Sequence, residues 1–189
     1  MDSVTYLNNQ FLIAMPNLDD PNFFHSVTLM CQHNDEGALG ITINRPTAME
    51  LGEIFMQMGI TAVDPECNKT PVFAGGPVQQ ERGFILHSPE LDNQWDSTIP
   101  VSDTISLTTS KDILEAIAQN EGPKNFLVAL GYAGWGVGQL EKEITANSWL
   151  HTPCLNNVLF NTPIDQRWSV AANQLGVDIS LLTMPAGHG

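Results

Sequence analysis

Positive charge is what this sequence has least of. Lys and Arg total 7 against 21 Asp and Glu, a formal net charge of −14 over 189 residues, with a pI near 4.4. Binding to a phosphate backbone is driven by Lys and Arg neutralising phosphates and releasing counterions. Seven scattered cations leave little for a basic groove, which argues against direct nucleic-acid binding. Cysteine is also scarce: Cys31, Cys67 and Cys154, an odd number with no CxxC. That excludes a disulfide framework and a zinc ribbon and fits reduced thiols in a cytoplasmic protein. No apolar run approaches the roughly 20 residues of a membrane span, and the start, MDSVTYLNNQFLIAMP, lacks the basic n-region of a signal peptide. There is no HExxH, and the five histidines lie far apart, so no metal or other cofactor is expected. A GxSxG elbow and the GK[ST] ending of a phosphate loop are missing too.

What is present reads as one globular domain over residues 1–189, with 42% hydrophobic and 15% charged residues. QFLIAMP is a buried strand ended by proline. Pro21, after two aspartates, suits the first turn of a short helix. SVTLMCQH and ALGITIN flank the turn NDEG and predict a β-hairpin, stopped by Pro46. Thr47 and Glu50 have capping-box spacing before a helix whose apolar face is Leu51, Ile54, Phe55 and Met58. Its methionines read as core packing rather than as an adaptable binding surface. VFAGGPV is a strand ending at Gly75–Gly76–Pro77, and GFILHS is another. The long stretch PELDNQWDSTIPVSD is a candidate flap.

The second half alternates strand and helix. TISLTT leads to a helix capped by Thr109, with Ile113, Leu114 and Ile117 inward. NFLVALGY is a buried strand, VGQLEKEITA a helix, and NSWLHTP and NVLF are strands. The last helix is capped by Thr162, with Pro163 at its first position and Gly176 as its stop. The expected fold is α/β with mixed α+β character. A central mixed sheet is flanked by helices, with the hairpin N-terminal and βαβαβ crossovers C-terminal.

The stretch LGYAGWGVGQLEKEITANSWL places Gly131, Gly134, Gly136 and Gly138 before a helix. A glycine-rich turn entering a helix presents N–H groups suited to an anion. Glu141 and Glu143 already suit that helix end, and the plainer role of the glycines is close approach to a neighbouring strand.

FLIAMPNLDDPNFFHSVTLMCQHNDEGALGITINRP, VFAGGPVQQERGFILHS and the tryptophan–glycine stretch together resemble the YqgE/AlgH family of bacterial proteins, over essentially the whole chain including GVDISLLTMPAGHG. The resemblance implies an α/β sandwich around a mixed sheet. It also implies a transcriptional-regulator role, from the association of AlgH with alginate production, and supplies no catalytic residues.

If its hallmark positions converge, one site contains His25, Asn44, Arg45, Gly75, Gly76, Trp135 and Gln139. Arg45 would clamp an anion, Asn44 and Gln139 orient it, and Trp135 stack on a planar group. The structural alternative pairs Arg45 with Glu141, Glu143 or an aspartate and makes His25 a satisfied structural histidine. Of the cysteines, Cys31 reads as buried and inert and Cys67 as the more reactive. The function expected is a non-enzymatic regulatory or adaptor protein. It would act on transcription indirectly, through a protein partner or small anionic ligand at a surface cleft. The alternative is an enzyme acting on a small anionic metabolite at the Arg45/glycine-rich cleft.

Overall fold

The computed structural model describes residues 6–15, 25–89 and 95–175. The turn expected at Pro21, the stop at Gly176 and the first part of the candidate flap lie outside them. Strand β1 (Gln10–Ala14) and the hairpin β2 (Val27–Asn34) and β3 (Gly37–Thr42) form where the apolar and β-branched runs predict them. Pro46 does not end β3. It opens a further strand, β4 (Pro46–Glu50), the first position of a strand being one that tolerates a missing N–H. Helix α1 (Leu51–Met58) follows, and its capping box is Glu50 with Glu53, one turn later than Thr47 with Glu50. The Thr47 hydroxyl donates instead to the Val72 carbonyl across the β4 pairing (2.8 Å).

A 3-10 turn, Pro65–Lys69, leads to β5 (Pro71–Ala74) and the long β6 (Val78–His87). Part of the supposed flap is the edge strand β7 (Thr98–Pro100), paired with β8 (Ser106–Thr108). Helix α2 (Lys111–Ala118) buries Ile113, Leu114 and Ile117 as its spacing predicts. Its N-cap is Ser110 rather than Thr109, and the Asp112 carboxylate accepts from the Ser110 hydroxyl and from Ile113 N. Then come β9 (Phe126–Trp135), α3 (Gln139–Thr145) and β10 (Trp149–Pro153). NVLF is helical, α4 (Asn156–Phe160), because four apolar residues carry no period that separates strand from helix. Thr162 does not cap the last helix. Its hydroxyl turns back to the Asn157 carbonyl, and a 3-10 turn at Ile164–Gln166 precedes α5 (Arg167–Asn173).

Ten strands among the described residues form one mixed sheet in the order β10-β1-β2-β3-β9-β6-β8-β7, with β4 pairing β5 and β5 pairing β9. Neighbours are antiparallel except β5 and β9. It follows from these pairings that β8, β9 and β10 point the same way, as crossover strands do, with other strands between them.

One face carries the largest core cluster, where Phe11, Ile13, Leu29, Ile41, Leu127 and Ala129 meet Val158 and Leu159 of α4 and Trp168 of α5. The other face carries two. Leu51 and Phe55 of α1 and Ile113 of α2 cover Val72, Ile85 and Val128. Leu140 of α3 joins Leu12, Met30, Ala133, Trp135 and Trp149. Burying each Leu, Ile, Val, Phe or Met among them contributes about 1.5–3 kcal/mol, which is what holds the helices on the sheet.

Candidate functional site

Strand β9 is the axis on which the hallmark residues are placed. Contrary to expectation, its glycine-rich part is mostly strand: Gly131 and Gly134 lie within it, and only residues 136–138 form the turn into α3. Pairing of Trp135, Gly134 and Ala133 with Ala38, Leu39 and Gly40 of β3 supplies the main-chain partners that keep this stretch extended. Gly131 has φ +79° and acts as a bulge. Before it, Leu127 and Ala129 face the α4/α5 core. After it, Tyr132 takes that face, while Ala133 and Trp135 face the other.

The Gly75–Gly76–Pro77 motif has an architectural explanation. At Val128–Leu130, β9 has β5 on one edge and β6 on the other. Val78 of β6 then pairs with Tyr132. Residues 75–77 therefore cross over β9 from one edge to the other. They pass so close that a Cβ on Gly76 would lie 2.0 Å from the Tyr132 carbonyl carbon, and one on Gly131 2.4 Å from the Gly76 oxygen. The crossing is pinned by Gly75 N donating to Leu130 O and Thr42 N donating to Gly75 O, both at 2.8 Å.

The seven candidate residues fall into two groups. Asn44, Arg45, Gly75 and Gly76 lie at the crossing, and His25 joins them through Asn44. The Asn44 amide donates to His25 O, and its oxygen accepts from Val27 N, both at 2.9 Å. His25 sits at φ +53° and stacks on Trp168 with ring centroids 4.7 Å apart. Arg45 is half-buried, and its carbonyl accepts from Ala74 N. Trp135 lies at the far end of β9, five residues beyond Leu130, a span of roughly 17 Å in a strand, and Gln139 opens α3 beyond it.

There Trp135 is buried and its indole N–H donates to Glu143 Oε1 (3.2 Å), as does that of Trp149 (3.0 Å). Gln139 accepts from Gly136 N and donates to Glu143 Oε2. These are internal bonds that seat α3. Neither α3 glutamate is positioned as the counter-ion imagined for Arg45. Glu143 holds the indoles, and Glu141 bonds His33 Nε2 at 2.5 Å. Since His33 Nδ1 accepts from Leu7 N (2.9 Å), Nε2 carries the proton and donates to Glu141. Partial burial pushes the Glu141 carboxyl up. Hydrogen bonds from its own backbone and from His33 outweigh this and bring it below its ordinary value.

The thiols are quiet. Burial, with Cys154 nearby, pushes Cys31 up, and burial pushes Cys154 to about 12. Cys67 is also raised, by burial and then by Asp64, but it is the least buried of the three.

Sequence reasoning missed a cleft of about 460 Å³ between α1 and α2. Ile85, Val128 and Leu130 form its floor. Met49, Ile54 and Met58 make one wall and Leu114 the other, with Gln57, Gln80, Glu81 and Lys111 on the rim. The signal was present in α1. Leu51 and Phe55 suffice to bury the helix, so Ile54 and Met58 are left half-buried and Met56 is 80% exposed. Of the methionines read as core, Met49 and Met58 pack half-buried against the cluster under α1 and α2, and Met56 is exposed.

With this geometry in hand, comparison with known proteins defines the class. A family model described as AlgH-like matches residues 11–180, and the chain belongs to that family. Among its relatives, a UPF0301 protein of Thioalkalivibrio sulfidiphilus is 56% identical over 188 residues, covering all of both chains. One of Methylococcus capsulatus is 58% identical over 184 residues, 97% of each. The solution structure of the AlgH protein from Pseudomonas aeruginosa matches with TM-score 0.80 and 45% identity, covering 100% of this chain and 99% of that one. A crystal structure of a Corynebacterium diphtheriae protein shares the fold at TM-score 0.76 and 16% identity, over 98% of this chain and 95% of that one. No helix among the described residues is long and apolar enough to cross a membrane.

Proposed function

We propose that this chain is a non-enzymatic regulatory or adaptor protein of the bacterial cytoplasm that influences transcription indirectly, by holding a protein partner at a surface cleft. The observation that carries this reading is the apolar cleft between α1 and α2. Its methionine-bearing wall suits an adaptable contact. The charge of −14 supports an indirect route, because such a surface repels DNA. A small anionic ligand at the Arg45 crossing is the competing occupant. Against it, the Asn44 side chain and the Gly75 main chain are both engaged in bonds within the protein.

Complementation of a deletion strain tests the reading, with transcript levels as the readout. Met58→Asp, expressed at the normal level and folded by circular dichroism, fails to restore them, whereas Gln139→Ala restores them. Full restoration by Met58→Asp removes the cleft from the function. Specific DNA binding by the purified protein at physiological salt removes the word "indirectly".

A further inference from the structure

The imidazole of His33 is buried, and both of its nitrogens are committed. Nδ1 accepts from Leu7 N at 2.9 Å, and Nε2 donates to Glu141 of α3 at 2.5 Å. Tyr6 meets the ring edge-on, with centroids 5.1 Å apart. The segment 6–9 is thereby strapped over the end of β2. Its base is held by bonds in which the imidazole takes no part. The Asn8 side chain donates to His33 O (3.1 Å) and accepts from His33 N (2.8 Å). Asn9 N donates to Met30 O (2.9 Å), and Asn9 O accepts from Cys154 N (3.0 Å). Leu7, nearer the tip, is buried in the cluster that includes Leu140 of α3 and Trp149.

The bond from Leu7 exists only while Nδ1 keeps its lone pair. Nε2 already carries a proton, so a second one can go only to Nδ1. An imidazolium has two donors and no acceptor. Protonation therefore sets two N–H groups against each other in a buried place, where an unpaired donor is costly. The titratable groups that face the ring are Glu141 from α3 and Tyr6 from the strap. Ionised Glu141 favours the imidazolium. The sheet brings no titratable group: the partner of His33 on β3 is Ala38, and beyond it stands Trp135 of β9. Asp35 and Glu36 follow in the exposed turn, and Lys142, next on α3, is exposed. Among the described residues no lysine or arginine pairs with Glu141.

From this competition for one nitrogen we infer that Tyr6 and Leu7 form a pH-sensitive latch on α3. It is closed while His33 is neutral. A proton on Nδ1 lifts it about a hinge at Asn8 and Asn9 and uncovers the apolar ground beside Leu140 and Trp149. The latch is independent of the α1/α2 cleft and of what the cleft holds.

The intact 15N-labelled protein is titrated from pH 8 to pH 5, the range in which histidines change charge. Long-range 15N–1H spectra report which His33 nitrogen carries a proton, and hydrogen exchange reports the Leu7 amide. At pH 8 Nδ1 is bare and Nε2 protonated. As pH falls, Nδ1 takes up its proton, and at the same midpoint the protection factor of Leu7 drops at least about tenfold. The amides of α2 and β5 keep their protection. His33→Asn retains an acceptor oxygen near the place of Nδ1 but cannot be protonated, so Leu7 stays protected across the range. Glu141→Gln keeps an acceptor for Nε2 and removes the charge, so the release of Leu7 needs a lower pH.

A proton on Nδ1 at pH 8, or a ring still neutral at pH 5, overturns the inference. So does a Leu7 amide that stays protected once Nδ1 is protonated. Loss of protection in α2 and β5 at the same midpoint also overturns it, because the event is then global unfolding. Release of Leu7 in His33→Asn as in wild type, or at an unchanged pH in Glu141→Gln, contradicts it as well.

Discussion

Gly76 and Tyr132 touch main chain to main chain: a Cβ at Gly76 would stand 2.0 Å from the Tyr132 carbonyl carbon and 2.2 Å from the Ala133 nitrogen. No rotamer relieves such a clash, because both sides are backbone. Gly76→Ala must push the crossing or β9 out of place, at a cost of about 3 kcal/mol, the upper end for overpacking. That lowers the thermal midpoint by roughly 6–12 °C. Gly83→Ala is the control, since nothing lies within 4 Å of a Cβ there. It changes stability by less than about 0.5 kcal/mol.

The buried Arg167 ties α5 to the end of the hairpin. Its guanidinium donates to the carbonyls of Ile43 and Thr162 and lies 5.2 Å from the Phe73 ring centroid. Arg167→Met leaves two carbonyls without their donor, and we expect a loss of about 2–4 kcal/mol. Arg167→Lys recovers little of it, because one ammonium cannot reproduce the planar fork. Chemical denaturation of the three proteins checks the order.

Glu143 accepts from two indoles with one oxygen and from Gln139 with the other. Glu143→Leu removes every acceptor and costs about 1–3 kcal/mol. It moves the indole N–H resonances of Trp135 and Trp149, two of the four tryptophans, toward the positions of unbonded indoles. Glu143→Gln keeps an acceptor oxygen and shifts them much less.

The Glu141–His33 contact contributes a pH dependence of known sign. The Glu141 pKa is lower in the folded protein than its ordinary 4.5, so the ionised form favours folding above that value. The gain is lost as pH falls through the lowered folded value. Glu141→Gln therefore costs stability at neutral pH, and the difference from wild type shrinks in acid. The carboxylate is about one-third exposed, its side chain at 36%, so solvent screening keeps the effect small. Urea midpoints from pH 7 down to pH 3 measure it.

The elements whose apolar period is long were legible in the sequence: the hairpin, α2 and the buried part of β9. So was the family. Errors came where a short signal had two physical meanings. NVLF fits a strand or a turn of helix, and its packing beside α5 settles it. A glycine-rich run fits a loop or a strand that another backbone must cross, and only the Gly75–Gly76 passage over Gly131 and Tyr132 tells them apart. Hallmark residues drew attention to the crossing and the α3 anchor. The cleft was touched only through the methionines of one wall, which read as core, because its walls are ordinary Met, Ile and Leu on β4, α1 and α2, and their juxtaposition is set by packing on β6 and β9.

The central claim is that the α1/α2 cleft is the working surface. A photo-crosslinking amino acid at Gln57, on the cleft rim, and another at Gln139, on α3, tests it in living cells. The account predicts one defined adduct from Gln57 that disappears when Met58→Asp is added, and none from Gln139. An adduct from Gln139 alone, or one from Gln57 that survives Met58→Asp unchanged, contradicts it.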